Sequence, residues 1–143
     1  MPEVGRDDPE YWLKMLMGLA IEAHRLGEKL RDEELLYDPD GSVRQSKIAV
    51  YSFECDCNYR NVNLIQSTTM RERQRKLMKL RYLKKRAWKD IFRIMDTTLR
   101  YSYDIHKNAL QRVLRQNSGI DYKSEYLAER ARLDSLNPYN CEE

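Results

Sequence analysis

A chain of 143 residues with 34% charged and 41% hydrophobic side chains has the composition of one folded domain that can bury a core, not of a disordered segment. Five Gly and four Pro are few for the tight turns of an all-β protein, and no apolar run approaches the ~18 residues of a membrane span. Net charge is only +3, but it is unevenly spread. Residues 1–40 carry 11 acidic and 5 basic side chains, whereas residues 67–117 carry 4 acidic and 15 basic ones. Two readings compete for that asymmetry: the basic segment meets an outside polyanion, or it meets the chain's own acidic ends.

The opening MPEVGRDDPEYW lacks the charged-then-apolar layout of a signal peptide. Three Cys without framework spacing predict reduced thiols, hence an intracellular protein of the cytoplasm or nucleus with no membrane partner. An acidic helix is predicted over 8–37. Asp8 suits the N-cap, Pro9 the first helical position, and Glu10 the positive end of the helix dipole. Trp12, Leu16, Leu19, Ala23, Leu26 and Leu30 follow in steps of four and three, which makes a heptad seam. Met15, Met17, Ala20 and Ile21 widen it for more than one neighbour. Asp38-Pro39-Asp40-Gly41 is a turn sequence that ends the helix.

Residues 42–66 read two ways. Ala49, Tyr51, Phe53, Cys55, Cys57 and Tyr59 alternate with Ser52, Glu54, Asp56 and Asn58, the period of a half-buried strand. Ile48, Tyr51, Cys55, Asn58, Val62 and Ile65 instead fit a helical seam. Asn, Ser, Asp and Cys are mediocre helix formers, so the balance leans to a β-hairpin over 47–66.

Residues 68–117 hold neither Gly nor Pro and predict one long basic helix or two. The apolar line Leu77, Leu80, Leu83, Ala87, Ile91, Met95 and Leu99 supports it. Unbroken it would span about 75 Å, too long for a small domain, so a break is expected at Asp96-Thr97-Thr98. Asn117-Ser118-Gly119 is a helix-ending sequence, and a last helix is predicted over 121–136. Acids Glu33 and Glu34 end the first helix, and Arg71, Arg73, Arg75 and Lys76 begin the long one, so each opposes its own dipole. Antiparallel packing of those two helices would relieve both, with residues 42–66 as an excursion between them.

The candidate chemistry is recognition. Arg71, Arg73, Arg75, Lys76, Lys79, Arg81, Lys84, Lys85, Arg86, Lys89 and Arg93 would bind nucleic acid or an acidic partner, with phosphate contacts independent of base sequence. Tyr101, Tyr103 and Tyr139 are candidate protein-interface residues. Cys55-Asp56-Cys57 with Cys141 lacks the spacing and fourth ligand of a zinc site, and His24 and His106 stand alone, so no metal or other cofactor is expected. No phosphate-cradling glycine loop, H-E-x-x-H, C-x-x-C or G-x-S-x-G is present.

These features predict a single mainly α domain over 1–143: an antiparallel bundle with long helices and the hairpin as an excursion. The expected function is non-catalytic, a subunit or adaptor that binds protein partners through helical and Tyr-rich surfaces, with homo-oligomerisation compatible. The alternative is a nucleic-acid-binding protein that uses the basic 71–93 face.

Overall fold

The computed structural model describes residues 8–139, which are mainly helical and contain no strand. The first helix, α1 (Pro9–Leu36), starts as its sequence dictates: Asp8 Oδ1 accepts the Glu10 N–H at 3.0 Å, with Pro9 in the first turn. After the turn at 38–41, in which Gly41 adopts a left-handed φ of 74°, α2 spans Ser42–Ser67. Asp38 accepts the N–H groups of Val43 (3.0 Å) and Arg44 (3.1 Å), and Asp40 accepts that of Ser42 (3.0 Å). Three otherwise unpaired donors at the start of α2 are thereby satisfied.

The hairpin expected at 47–66 is overturned: the whole stretch is helix. Its buried face is Val50, Phe53, Glu54, Cys57, Asn61, Leu64 and Ile65, a helical spacing. Two polar residues lie on that face, while Tyr51 and Tyr59 are exposed, so an alternating pattern masked the helical one. The alternative seam through Ile48 and Tyr51 had the wrong phase, since both are exposed. Cys55 and Cys57 fall on different faces. Cys55 is exposed, whereas Cys57 is buried and its thiol is pushed up to about 11, chiefly by that burial. Cys141 lies outside the described residues.

Residues 68–117 form three helices, not one or two: α3 (Glu72–Tyr82), α4 (Trp88–Ile94) and α5 (Leu99–Gln116). The break before α5 lies where Thr97-Thr98 signals it, and Thr98 Oγ1 caps the Tyr101 N–H at 3.1 Å. The break at 83–87 falls in a run of helix formers. Lys85 takes a left-handed φ of 58° there, and the Leu83 and Lys84 N–H groups both return to Lys79 O. α3 begins at Glu72, four residues after the start expected at 68. Thr68 ends α2 instead, donating its hydroxyl to Leu64 O at 2.7 Å. The last helix, α6 (Tyr122–Leu136), is capped by Asp121.

The expected pairing of α1 with the basic segment is replaced by pairing with α2. Glu34 meets Lys47 at 2.6 Å, His24 meets Glu54 at 3.0 Å, and Asn61 Nδ2 donates to Met17 O at 3.0 Å, so α1 and α2 run antiparallel. α6 lies along both, through Arg130–Glu22 (2.6 Å) and Arg132–Asp56 (2.8 Å). The dipole conflict is resolved elsewhere. Arg75 of α3 donates to Ile65 O (2.5 Å) and Thr68 O (2.9 Å), placing a cation on the negative end of α2. The core is continuous through Leu16 and Met17 of α1, Phe53 of α2, Leu77 of α3, Ile91 of α4, Leu110 of α5 and Tyr126 of α6. Each fully buried large aliphatic contributes roughly 1.5–3 kcal/mol.

Candidate functional site

The basic residues singled out from sequence divide by role. Three serve the fold. Arg75 caps α2 as above. Arg81 donates to Arg86 O at 3.0 Å and lies 5.0 Å from the Trp88 ring centre. The Lys85 ammonium sits 3.1 Å from Glu54 Oε2 and 2.9 Å from Asn58 Oδ1, with both charged side chains mostly buried. Arg93 pairs within its own helix, 3.7 Å from Asp90. Five more, Lys76, Lys79, Lys84, Arg86 and Lys89, are exposed, and among the described residues no acid forms an ion pair with any of them. The acids of α1 are turned to other partners: Glu22 to Arg130, Glu28 and Asp32 to Arg31, and Glu34 to Lys47.

Arg71 and Arg73 stand at the edge of a cleft of about 640 Å³ between α3 and α5. Arg73 is held by Met95 O at 3.4 Å and lies 5.5 Å from the centre of the Tyr101 ring. The far wall is a polar stripe of α5 that includes Tyr101, Asp104, Asn108, Arg112 and Arg115. These residues recur every three or four positions, so they share one helix face. The face with Ala109, Leu110 and Val113 is in the core, and the buried Ile105 borders the cleft between the two. Sequence reading counted Arg112 and Arg115 in the basic total but did not place them. The periodic polar stripe along α5 is the signal that could have located them.

With four arginines against Glu72 and Asp104, the cleft carries a net positive field beside a half-exposed phenol ring. Guanidinium forks suit phosphate oxygens, and an aromatic face suits a base or another flat group. Of the other tyrosines proposed for contact, Tyr103 packs edge-on to Trp88 with ring centres 5.0 Å apart, and Tyr139 lies under the Lys29 ammonium at 3.9 Å. Both keep part of their surface exposed, but Tyr101, Tyr103 and Tyr139 are not brought together in one cavity.

A second polar network crosses the α1–α2 hairpin. Glu54 Oε2 accepts from Lys85 and meets His24 Nδ1, so neither Lys85 nor His24 stands alone. Beside it an open groove of about 400 Å³ is lined by Gly27, Lys47, Ile48 and Tyr51. His106 is buried and hydrogen-bonded to the Tyr82 hydroxyl at 2.7 Å. Burial, aided by the charges of Lys14 and Arg81, pushes its pKa down to about 3, and burial raises that of Tyr82. Both are neutral at pH 7. No group of three or more His, Cys, Asp or Glu side chains placed to hold a metal ion occurs among the described residues. None of their helices is long and apolar enough to cross a membrane. No family model, curated protein or solved structure matches this chain.

Proposed function

We propose that this protein is a non-catalytic binding protein that engages nucleic acid through phosphate contacts along α3, the α3–α4 turn and the α3/α5 cleft. The observation that carries the reading is the set of exposed cations without an acid partner among the described residues: Lys76, Lys79, Lys84, Arg86 and Lys89. An acidic α1 folded over the basic segment was the competing account, and its acids pair elsewhere. A surface of this sign attracts a polyanion without reading its sequence, and Tyr101 adds a stacking platform.

The test is fluorescence anisotropy with short DNA and RNA oligonucleotides on wild type and on Lys84→Gln/Arg86→Gln/Lys89→Gln. Lys85 is left intact because it holds Glu54. Binding at about 50 mM salt that weakens at least about tenfold in the triple variant is expected. Equal binding by both proteins, or none by wild type, would contradict the proposal.

A protein-partner reading, the adaptor or subunit role, is favoured by one different observation. Ile48 and Tyr51 line the α1–α2 groove yet are 55% and 66% exposed, and Leu35 and Leu36 at the end of α1 are exposed as well. Aromatic and aliphatic surface of this kind suits a protein contact. Capture of a partner that is lost in Ile48→Ser/Tyr51→Ser, and kept in the Lys84/Arg86/Lys89 variant, would separate this reading from the first.

A further inference from the structure

The acidic first helix contributes two cations to a place where acids are scarce. Lys14, Gly18, Glu22 and Arg25 recur along one stripe of α1 and line one side of a cavity of about 310 Å³. Arg81, Tyr82, Trp88 and His106 from α3, α4 and α5 line the other side. The cavity therefore gathers three cations. Its one acid, Glu22, already accepts from Arg130 at 2.6 Å. Burial chiefly lowers the pKa of Arg81, and the nearby charge of Arg25 adds to that in the same direction. Like charges around a recess cost free energy until a counter-charge enters.

The donors are ready for one. Arg81 is pre-positioned, its guanidinium bonded to Arg86 O and laid against Trp88, so little rotamer freedom remains to be lost on binding. His106 is neutral and spends one ring nitrogen on the Tyr82 hydroxyl; the other has no hydrogen-bond partner among the described residues. At Gly18 an added Cβ would have no atom within 4 Å, so the wall is open at that point.

We infer that the cavity between Lys14, Arg25, Arg81 and His106 binds a small phosphate-bearing anion, either free phosphate or a phosphomonoester. Guanidinium and ammonium donors match phosphate oxygens, and the volume is at the small end for ligand pockets, roughly 300–1,000 Å³. The site adjoins the nucleic-acid surface through Arg81 and Trp88, but none of that surface's five free cations lines it, and α1 supplies no residue to the α3/α5 cleft.

The experiment follows the Trp88 indole N–H and the His106 ring by NMR during titration with inorganic phosphate and, separately, with a nucleoside monophosphate. Sodium chloride at matched ionic strength is the control. Both signals are expected to shift saturably below about 10 mM ligand, while Trp12 does not move. Tighter binding of the monophosphate identifies a phosphomonoester as the ligand, and equal binding identifies free phosphate; either supports the site. Gly18→Leu, which fills the opening, and separately the exposed pair Lys14→Gln/Arg25→Gln should each weaken binding about tenfold or more. Two variants guard against a fold effect in one of them, and the amide spectrum reports folding in each. No shift beyond the chloride control, or a shift that persists undiminished in the folded variants, would overturn the assignment.

Discussion

Lys85 occupies a backbone conformation that side chains with a Cβ avoid, at a cost of about 1–2 kcal/mol. The offset is in its ammonium, which neutralises Glu54 where both side chains are about nine-tenths covered. Removing one partner of such a pair leaves a buried charge, so Lys85→Ala is expected to cost about 3 kcal/mol in urea unfolding. The double variant with Glu54→Gln should lose clearly less than the sum of the two single variants. Additivity within ~0.5 kcal/mol would show that the contact carries no coupling. His106 makes a pH-dependent contribution of known sign. Its folded pKa of about 3 lies below the ordinary value near 6.5, so on acidification the unfolded chain takes up the proton first. The contribution is intact above pH ~6.5 and is lost as pH falls towards 3, by roughly 2–3 kcal/mol at pH ~4.5. The stability gap between wild type and His106→Gln should narrow from pH 7 to 4.5; a constant gap would contradict a buried, neutral imidazole.

At the scale of elements, α2 shows most clearly where local pattern and tertiary packing part company. Its Ser, Asn, Asp and Cys content disfavours helix, and its tyrosines point outward. Glu54 and Asn61 are buried because Lys85, His24 and the Met17 carbonyl meet them, and none of those partners is near in sequence. A reading confined to neighbours saw an alternating strand. α1, with Asp8, Pro9 and a long heptad seam, was legible almost residue by residue, as were the breaks at 38–41 and 96–98. The break at 83–87 was not, since Lys84, Lys85 and Arg86 are good helix formers and the cause of the turn lies on α2. With weak intrinsic propensity, α2 depends on its start. Asp38→Ala, which removes the acceptor for two N–H groups, should destabilise the fold by about 1–2 kcal/mol, and Asp38→Asn by less. Equal thermal midpoints for wild type and Asp38→Ala would contradict that role.

Across the whole molecule, the uneven charge visible in the sequence survives folding in a changed form. The acids of α1 form their ion pairs across to α2 and α6, not with cations of the basic segment, and α3 and the α3–α4 turn keep a surplus of exposed cations. Charge counts alone did not decide between those outcomes, because the deciding pairs join residues 13 to 108 positions apart in sequence. Nor did they show that Arg112 and Arg115 would stand opposite Arg71 and Arg73, or that Lys14 and Arg25 would face Arg81. The basic residues were found from sequence; their division into structural and free groups required the fold.

The salt dependence of oligonucleotide affinity, for wild type and for Lys84→Gln/Arg86→Gln/Lys89→Gln, tests the phosphate-binding surface most directly. Each phosphate contact contributes a slope of about 0.9 in log affinity against log salt for duplex DNA, and about 0.7 for single strands. A steep wild-type slope that falls by about 2–3 in the triple variant is the predicted result. A shallow wild-type slope, or one that the three substitutions leave unchanged, would mean that these exposed cations are not a phosphate-binding surface.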